Sequence, residues 1–270
     1  MTDGAEAVIV LPRALRAGAS SEDIEGAIRE AIGAQLGPNA CTGVTVRSQP
    51  RALPRGHIEA VAVALDGARL DQLPLSGSPP EFDRSLSRGR IEELRFDVTH
   101  LEVGGLITSR AYVVARQVDY ALEVGDGVSR VWLSAMATGE ATLCIGRPEL
   151  VRTIERRVAA IRSLEVALRP GGWVEARGTV RVGPLKVRGT LSGQLAIANG
   201  AEIVLRDIDL RAGILGAPQA ARQTVLRSVN PLIDVGALLQ PPFRIRLTAI
   251  ETTDEQVTVS AVLSPNALSE

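Results

Sequence analysis

The sequence predicts an α+β fold with amphipathic helices packed on a large, mainly antiparallel sheet. Two stretches, 22–36 and 148–162, repeat apolar residues at three- and four-residue spacing, the mark of a helix with one buried face. Between and after them run many short segments with two-residue alternation. Glycine and proline, 26 and 15 residues, supply turns in a number that suits strands better than a helical bundle. Helices are too few for a regular alternation of strand and crossover helix. With only 3% aromatic residues, the core has to be built from Leu, Ile, Val and Ala. At 270 residues the chain is long enough for one large domain or two small ones.

The first helix is SSEDIEGAIREAIGAQLG. Ser20 or Ser21 caps it, Glu22 and Asp23 favour its first turn, and Gly37-Pro38 stops it. Its stripe is Ile24, Ala27, Ile28, Ala31, Ile32 and Leu36. TGVTVRSQP and GHIEAVAVALDGARL follow as strands, the second apolar on both faces. Residues 74 to 89 form a polar loop. In GRIEELRFDVTHLEV, Leu94, Phe96, Val98 and His100 share a mostly apolar face with Glu92, opposite Ile91, Glu93, Arg95 and Asp97. Residues 107 to 124 are a long β-rich run. The second helix spans 148–162, with Pro148 and Glu149 at its start. Leu150, Val151, Ile154, Val158 and Ile161 form its apolar side, and Arg152, Arg156, Arg157 and Arg162 its basic side. From 164 to 212, strands punctuated by PGG, VGP and ANG make an antiparallel meander. A helix-like run then leads to NPLIDVGALLQPPFRIRL. There Pro231 ends the run and Pro241-Pro242 sets up a strand with Phe243, Ile245 and Leu247 on one face. A last strand follows across TTDEQ. The helix-then-strands order occurs twice, a weak echo without a fixed period.

Composition removes several function classes. The net charge is -1, with no basic excess of the kind a nucleic-acid binder carries. Two cysteines, Cys41 and Cys144, make no disulfide framework and no CxxC motif, and read best as free buried thiols. His57 and His100 are the only histidines, which leaves few candidates for metal binding or acid–base chemistry. His100 has Asp97 and Glu102 nearby in sequence, but on an alternating strand Asp97 points the other way. No G-x-S-x-G elbow, GxGxxG fingerprint, phosphate loop or calcium loop is present. An enzyme would need a serine or aspartate to converge on a histidine in space. No run reaches the ~18 apolar residues of a membrane span. The opening MTDGAEAVIVLPRALRAGAS has a short apolar part preceded by acidic residues, a poor signal peptide. The expectation is a cytoplasmic chain, or one whose true start or targeting segment is missing.

What survives is greasy strand surface beside apolar-striped helices. A sheet curved around a helix leaves room for acyl chains, at ~0.8 kcal/mol per buried CH₂, with a few polar groups at the mouth. The competing expectation is a self-contained core with no ligand. EARGTVRVGPLKVRG, at 175–189, is basic for its length; it suits phosphate headgroups or an ordinary solvated strand face.

The order of these segments resembles the LmeA-like family of bacterial phospholipid-binding proteins. The resemblance runs from the helix at 22–36 through TGVTVRSQPRALPRGHIEAVAVALDGARLDQLPL, GRIEELRFDVTHLEV and ATLCIGRPEL to the NP pair, PPF and the final strands. It implies a TULIP-like fold, related to tubular lipid-binding domains, with long amphipathic helices packed against a large, highly curved antiparallel β-sheet. It implies a single domain at 22–263, flanked by an N-terminal extension at 1–21 and a tail at 264–270. It further implies non-catalytic binding of a phospholipid or fatty-acyl ligand, with transfer or envelope maintenance as the role, transient membrane-surface contact, and no cofactor, metal or nucleic-acid partner. Similar proteins are commonly periplasmic or in the cell envelope. The groove candidates are Ile24, Ile28, Ile32 and Leu36 on the first helix, and Leu94, Phe96 and Val98 on a strand. Ile154, Val158 and Ile161 on the second helix join them, with Phe243 and Ile245 on the late strand. Each is equally at home as plain core. Arg152, Arg156 and Arg169 are the headgroup candidates.

Overall fold

The computed structural model describes residues 9–12, 19–49, 55–69, 86–125, 127–157, 161–182, 185–212, 230–235 and 243–265. Within them lie two helices, α1 (Ser21–Leu36) and α2 (Arg147–Arg157), and a preponderance of β-strand. The larger sheet has nine strands and curls into a half-barrel. It contains β1 (Ile9–Leu11), β2 (Cys41–Arg47), β3 (His57–Asp66), β4 (Ser87–Thr99), β7 (Arg110–Val124), β8 (Ser129–Ala135), β9 (Thr138–Gly146), β15 (Phe243–Thr252) and β16 (Gln256–Pro265). Its main path is β15-β16-β9-β7-β4-β3-β2, and β8 pairs both β1 and β7. The smaller sheet runs in sequence order through β10 (Ile161–Arg169), β11 (Trp173–Val182), β12 (Leu185–Ala198), β13 (Glu202–Ala212) and β14 (Ile233–Asp234). β5 (Glu102–Val103) and β6 (Leu106–Ile107) form a separate two-stranded piece. One apolar cluster spans both sheets, from Val44 and Val61 through Leu164 and Leu205 to Leu247 and Val259. The Leu247 N–H donates to the Gly200 carbonyl at 2.7 Å, joining β15 to the turn between β12 and β13.

α1 begins with a capping box. The Ser20 hydroxyl accepts the Asp23 N–H, and the Asp23 carboxylate accepts the Ser20 N–H at 2.8 Å. It ends at Gly37, whose φ of +102° suits glycine and whose N–H returns to the Gly33 carbonyl. Its apolar stripe serves two clusters. Ile24, Ile28, Ile32 and Leu36 are half-buried against the main core, while Ala27 and Ala31 are buried with Leu11 of β1. So Ile9–Leu11, in the stretch read as an N-terminal extension, pairs with β8 and meets α1. The Glu25 carboxylate accepts the Val46 N–H at 2.7 Å, so α1 also satisfies part of the edge that β2 presents.

Several expectations are corrected. The helices are not long: α1 has 16 residues and α2 has 11, about 24 and 16 Å. The second helix does not reach 162; Ile161 and Arg162 belong to β10. Leu164, Val166 and Leu168 alternate as buried residues on that strand, and pairing with β11 outweighs helical spacing. The sheet is not purely antiparallel, because β3 and β4 pair in parallel. A parallel pair needs a crossover connection, and 20 residues separate Asp66 from Ser87. On β4 the buried residues are Ile91, Leu94 and Val98, so the inward face changes parity after Ile91. At that point on the partner strand Gln117 of β7 has φ +51°, while the register is unchanged on either side, Ile91↔Val118 and Glu93↔Arg116. The helix-like run before Asn230 and residues 74–85 of the expected loop lie outside the described residues, while 87–89 of that loop are the start of β4. NPLIDV itself closes the smaller sheet: the Asn230 side chain accepts the Leu205 N–H at 2.8 Å and donates to the Leu205 carbonyl at 3.0 Å. Ile233 and Val235 are buried behind it.

Candidate functional site

The site is built by three consecutive elements, α2, β10 and β11. α2 starts directly after β9. The Glu149 carboxylate folds back over Gly146 into the space a Cβ would occupy, so a side chain there would make that carboxylate turn aside. The Arg147 N–H donates to the Glu255 carbonyl at 2.9 Å, tying the helix start to the turn between β15 and β16. Leu150, Thr153 and Ile154 are buried, and the Thr153 hydroxyl donates to the Glu149 carbonyl at 2.8 Å. That orientation leaves Arg147, Pro148, Val151 and Arg152 on the cleft side. On β10 the alternation buries Val166 and Leu168 and exposes Glu165, Ala167 and Arg169. Their cross-strand neighbours on β11 are Arg177, Glu175 and Trp173 respectively.

These elements enclose an open cleft of about 640 Å³. Four arginines line it, Arg147, Arg152, Arg169 and Arg177, against Glu165 and Glu175, a formal excess of two positive charges. Pro148, Val151, Val166 and Ala167 supply apolar wall. Glu175 is shared: Arg177 Nε donates to it at 2.6 Å and Arg169 lies 3.4 Å away. Arg152 sits 3.6 Å from Glu149, and Arg147 makes no ion pair among the described residues. The arrangement therefore offers two guanidinium groups already oriented by a carboxylate and two more loosely held, a set that suits phosphate or carboxylate oxygens. Val151 and Val166 line the cleft and also pack in the main core, so the cleft floor is the outer surface of that core.

The groove candidates converge on that core. Leu94, Val98, Ile154 and Ile161 are buried in it, and Ile24, Ile28, Ile32, Leu36, Phe96 and Ile245 are half-buried against it. Val158 and the side chain of Phe243 lie outside the described residues. None of the described candidates lines the cleft itself. Of the headgroup candidates, Arg152 and Arg169 line it, whereas Arg156 turns to Glu102 of β5 at 3.9 Å. Arg147, Glu165 and Glu175 are site residues that pattern reasoning passes over. Arg177 carries a signal, since it falls in the basic stretch 175–189.

The histidines are elsewhere. His100 Nδ1 lies 2.8 Å from Asp66, not near Asp97 or Glu102, and ends β4 with φ +54°. Asp66 also accepts the Thr99 hydroxyl at 2.6 Å. The Asp66–His100 pair is exposed, away from the cleft lining. Asp97 instead accepts two hydrogen bonds from Arg110 across β4 and β7. His57 is 3.7 Å from Glu92. Cys41 and Cys144 are free and half-buried. Among the described residues no group of three or more His, Cys, Asp or Glu could hold a metal, and no helix is long and apolar enough to cross a membrane.

Two carboxylates predict the acid behaviour. The Thr99 hydroxyl and His100 hold the Asp66 carboxyl below the usual range, and the Arg110 guanidinium does the same for Asp97. A carboxyl depressed in the folded state adds stability above its unfolded pKa and loses that contribution as pH falls through the folded value. Melting temperature should therefore drop as pH goes below about 4. Asp97→Asn should flatten that drop, which thermal melts between neutral and acid pH will read; an unchanged slope would remove Asp97 from the account.

Comparison of the chain with protein-family models, curated proteins and solved structures gave no match.

Proposed function

We propose that this protein binds a phospholipid or another acyl-chain lipid without chemical turnover. The headgroup lies among the arginines of the α2–β10–β11 cleft, and the acyl chain lies along the apolar interior behind it. The observation that carries this reading is the shared identity of Val151 and Val166, which belong at once to a cationic cleft and to the main apolar cluster. An amphiphile needs that adjacency. About a dozen methylenes contribute ~10 kcal/mol before ordering costs, while each exposed arginine adds ~1 kcal/mol. The chain thus dominates affinity and the arginines set orientation. The curled half-barrel and the likeness of segment order to the LmeA-like, TULIP-like proteins support the same reading, with lipid transfer or envelope maintenance as the role.

One observation favours a second reading. Leu94, Val98, Ile154 and Ile161 are 2–9% exposed and packed together, as in a solid-core structural or interaction domain. Solvent extraction of the purified protein followed by mass spectrometry separates the two. Phospholipid or fatty acid near one per chain is the expected result. A clean extract, together with no uptake of a fluorescent phospholipid, leaves the solid-core reading.

A further inference from the structure

We propose that the β10–β11 hairpin and the arginines beside it form a docking face for an anionic bilayer, with Trp173 entering the interfacial layer. This rests on the lipid-binding reading of the same cleft. The chain has two tryptophans, and they are treated differently: Trp132 is 3% exposed, whereas Trp173 is 43% exposed. Trp173 stands at the end of the hairpin, opposite Arg169 and in line with Glu175 and Arg177 on the outward face of β11. The hairpin tip is held firmly. Gly171 and Gly172 take φ of +81° and +82°, which side-chain-bearing residues rarely adopt. The Gln194 side-chain amide donates to the Gly171 carbonyl at 2.7 Å, and the Leu195 N–H donates to the Gly172 carbonyl at 2.8 Å. The indole is presented on a fixed support.

An indole has an apolar body and one N–H donor, and it settles at the headgroup level of a bilayer. Arginines next to it keep their charge among phosphates while their stems cover apolar surface. The cleft holds its formal excess of two positive charges on a protein of net charge -1, so the attraction for an anionic surface is local to this face. Single-stranded nucleic acid would call for a row of stacking aromatics, and this face carries one. A protein partner would call for a broad apolar centre, which a lone tryptophan among arginines does not provide. Docked this way, the cleft mouth meets the headgroup layer, and a lipid passes between bilayer and cleft without crossing bulk water.

The test uses the full chain with vesicles of phosphatidylcholine alone or mixed with phosphatidylglycerol, each with brominated acyl chains. With the anionic vesicles, tryptophan emission should shift to the blue and be quenched; neutral vesicles should leave it nearly unchanged. In Trp173→Phe, the remaining Trp132 emission should not respond. Trp173→Ala should weaken vesicle partitioning about tenfold, and Arg152→Gln about fivefold at low salt. Silence of Trp173 with anionic vesicles, equal quenching by neutral ones, or a response that persists in Trp173→Phe would each overturn the docking face. Extraction on the same preparation keeps the two ideas apart. Extracted lipid with a silent Trp173 sinks only the docking face, while a quenched Trp173 with a clean extract and no uptake of a fluorescent phospholipid supports docking and removes the lipid-binding reading.

Discussion

Gly89→Ala is expected to cost the protein ~3–5 kcal/mol, enough to unfold a marginally stable domain. Gly89 pairs with Tyr120 across β4 and β7, and a Cβ on it would fall on the Tyr120 ring, the Tyr120 hydroxyl and the Gly56 carbonyl. None of these is the free end of a flexible side chain. The Tyr120 hydroxyl donates to the Gly56 carbonyl at 3.1 Å, and the Arg90 N–H reaches the same carbonyl at 2.8 Å. Gly56 is itself confined: its φ is +74°, and a Cβ would come within 2.9 Å of the Arg88 carbonyl. Two glycine backbones thus stack beneath one aromatic ring where the parallel pairing of β3 and β4 begins. Burial pushes the Tyr120 phenol above its ordinary pKa, so it stays a neutral donor at physiological pH. A methyl at 89 overfills the site and displaces that donor. Urea denaturation followed by circular dichroism reads the effect; a loss under ~1 kcal/mol would show that the ring moves aside at little cost. Tyr120→Phe, which removes only the hydrogen bond, should lose ~1 kcal/mol.

The second large effect is on binding. Arg147→Gln with Arg152→Gln should weaken anionic lipid binding about thirtyfold at low salt, the product of two losses of ~1 kcal/mol each. These two arginines are the choice because Arg169 and Arg177 are already engaged with Glu175. Both are exposed side chains near the helix start, so melting temperature should stay near that of the unsubstituted protein. Raising ionic strength should bring the two proteins together, because the lost term is the screened one. Equal affinity for phosphatidylglycerol at low salt would move the headgroup site away from this cleft.

Both predictions depend on features of unequal legibility. The capped start of α1, its glycine stop and the antiparallel order of β10 to β13 follow from local residue chemistry, and the structure has them. The end of α2 does not. VAAIRSLEVALR carries helical spacing through Val158 and Ile161 and strand alternation through Leu164, Val166 and Leu168, and only pairing with β11 chooses between them. The inward face of β4 is hidden for a similar reason: its parity changes beside Gln117 of the neighbouring strand, where the backbone takes φ +51°. At the site, Arg152 and Arg169 are readable as exposed basic residues. That Arg152 faces Arg169 while Arg156 turns to Glu102 depends on how α2 lies against β10.

Periodicity, caps and turn residues were therefore sufficient to establish that this chain is rich in strands, aliphatic in its core and equipped with an amphipathic helix at 22–36. Those signals are local: each is written within a few residues of where it acts. Which strand faces point inward, that β3 and β4 run parallel, that Asp66 rather than Asp97 meets His100, and that four arginines gather over an apolar floor were decided by packing between distant segments. A strand's own alternation states that it has two faces; only its neighbours state which one is buried.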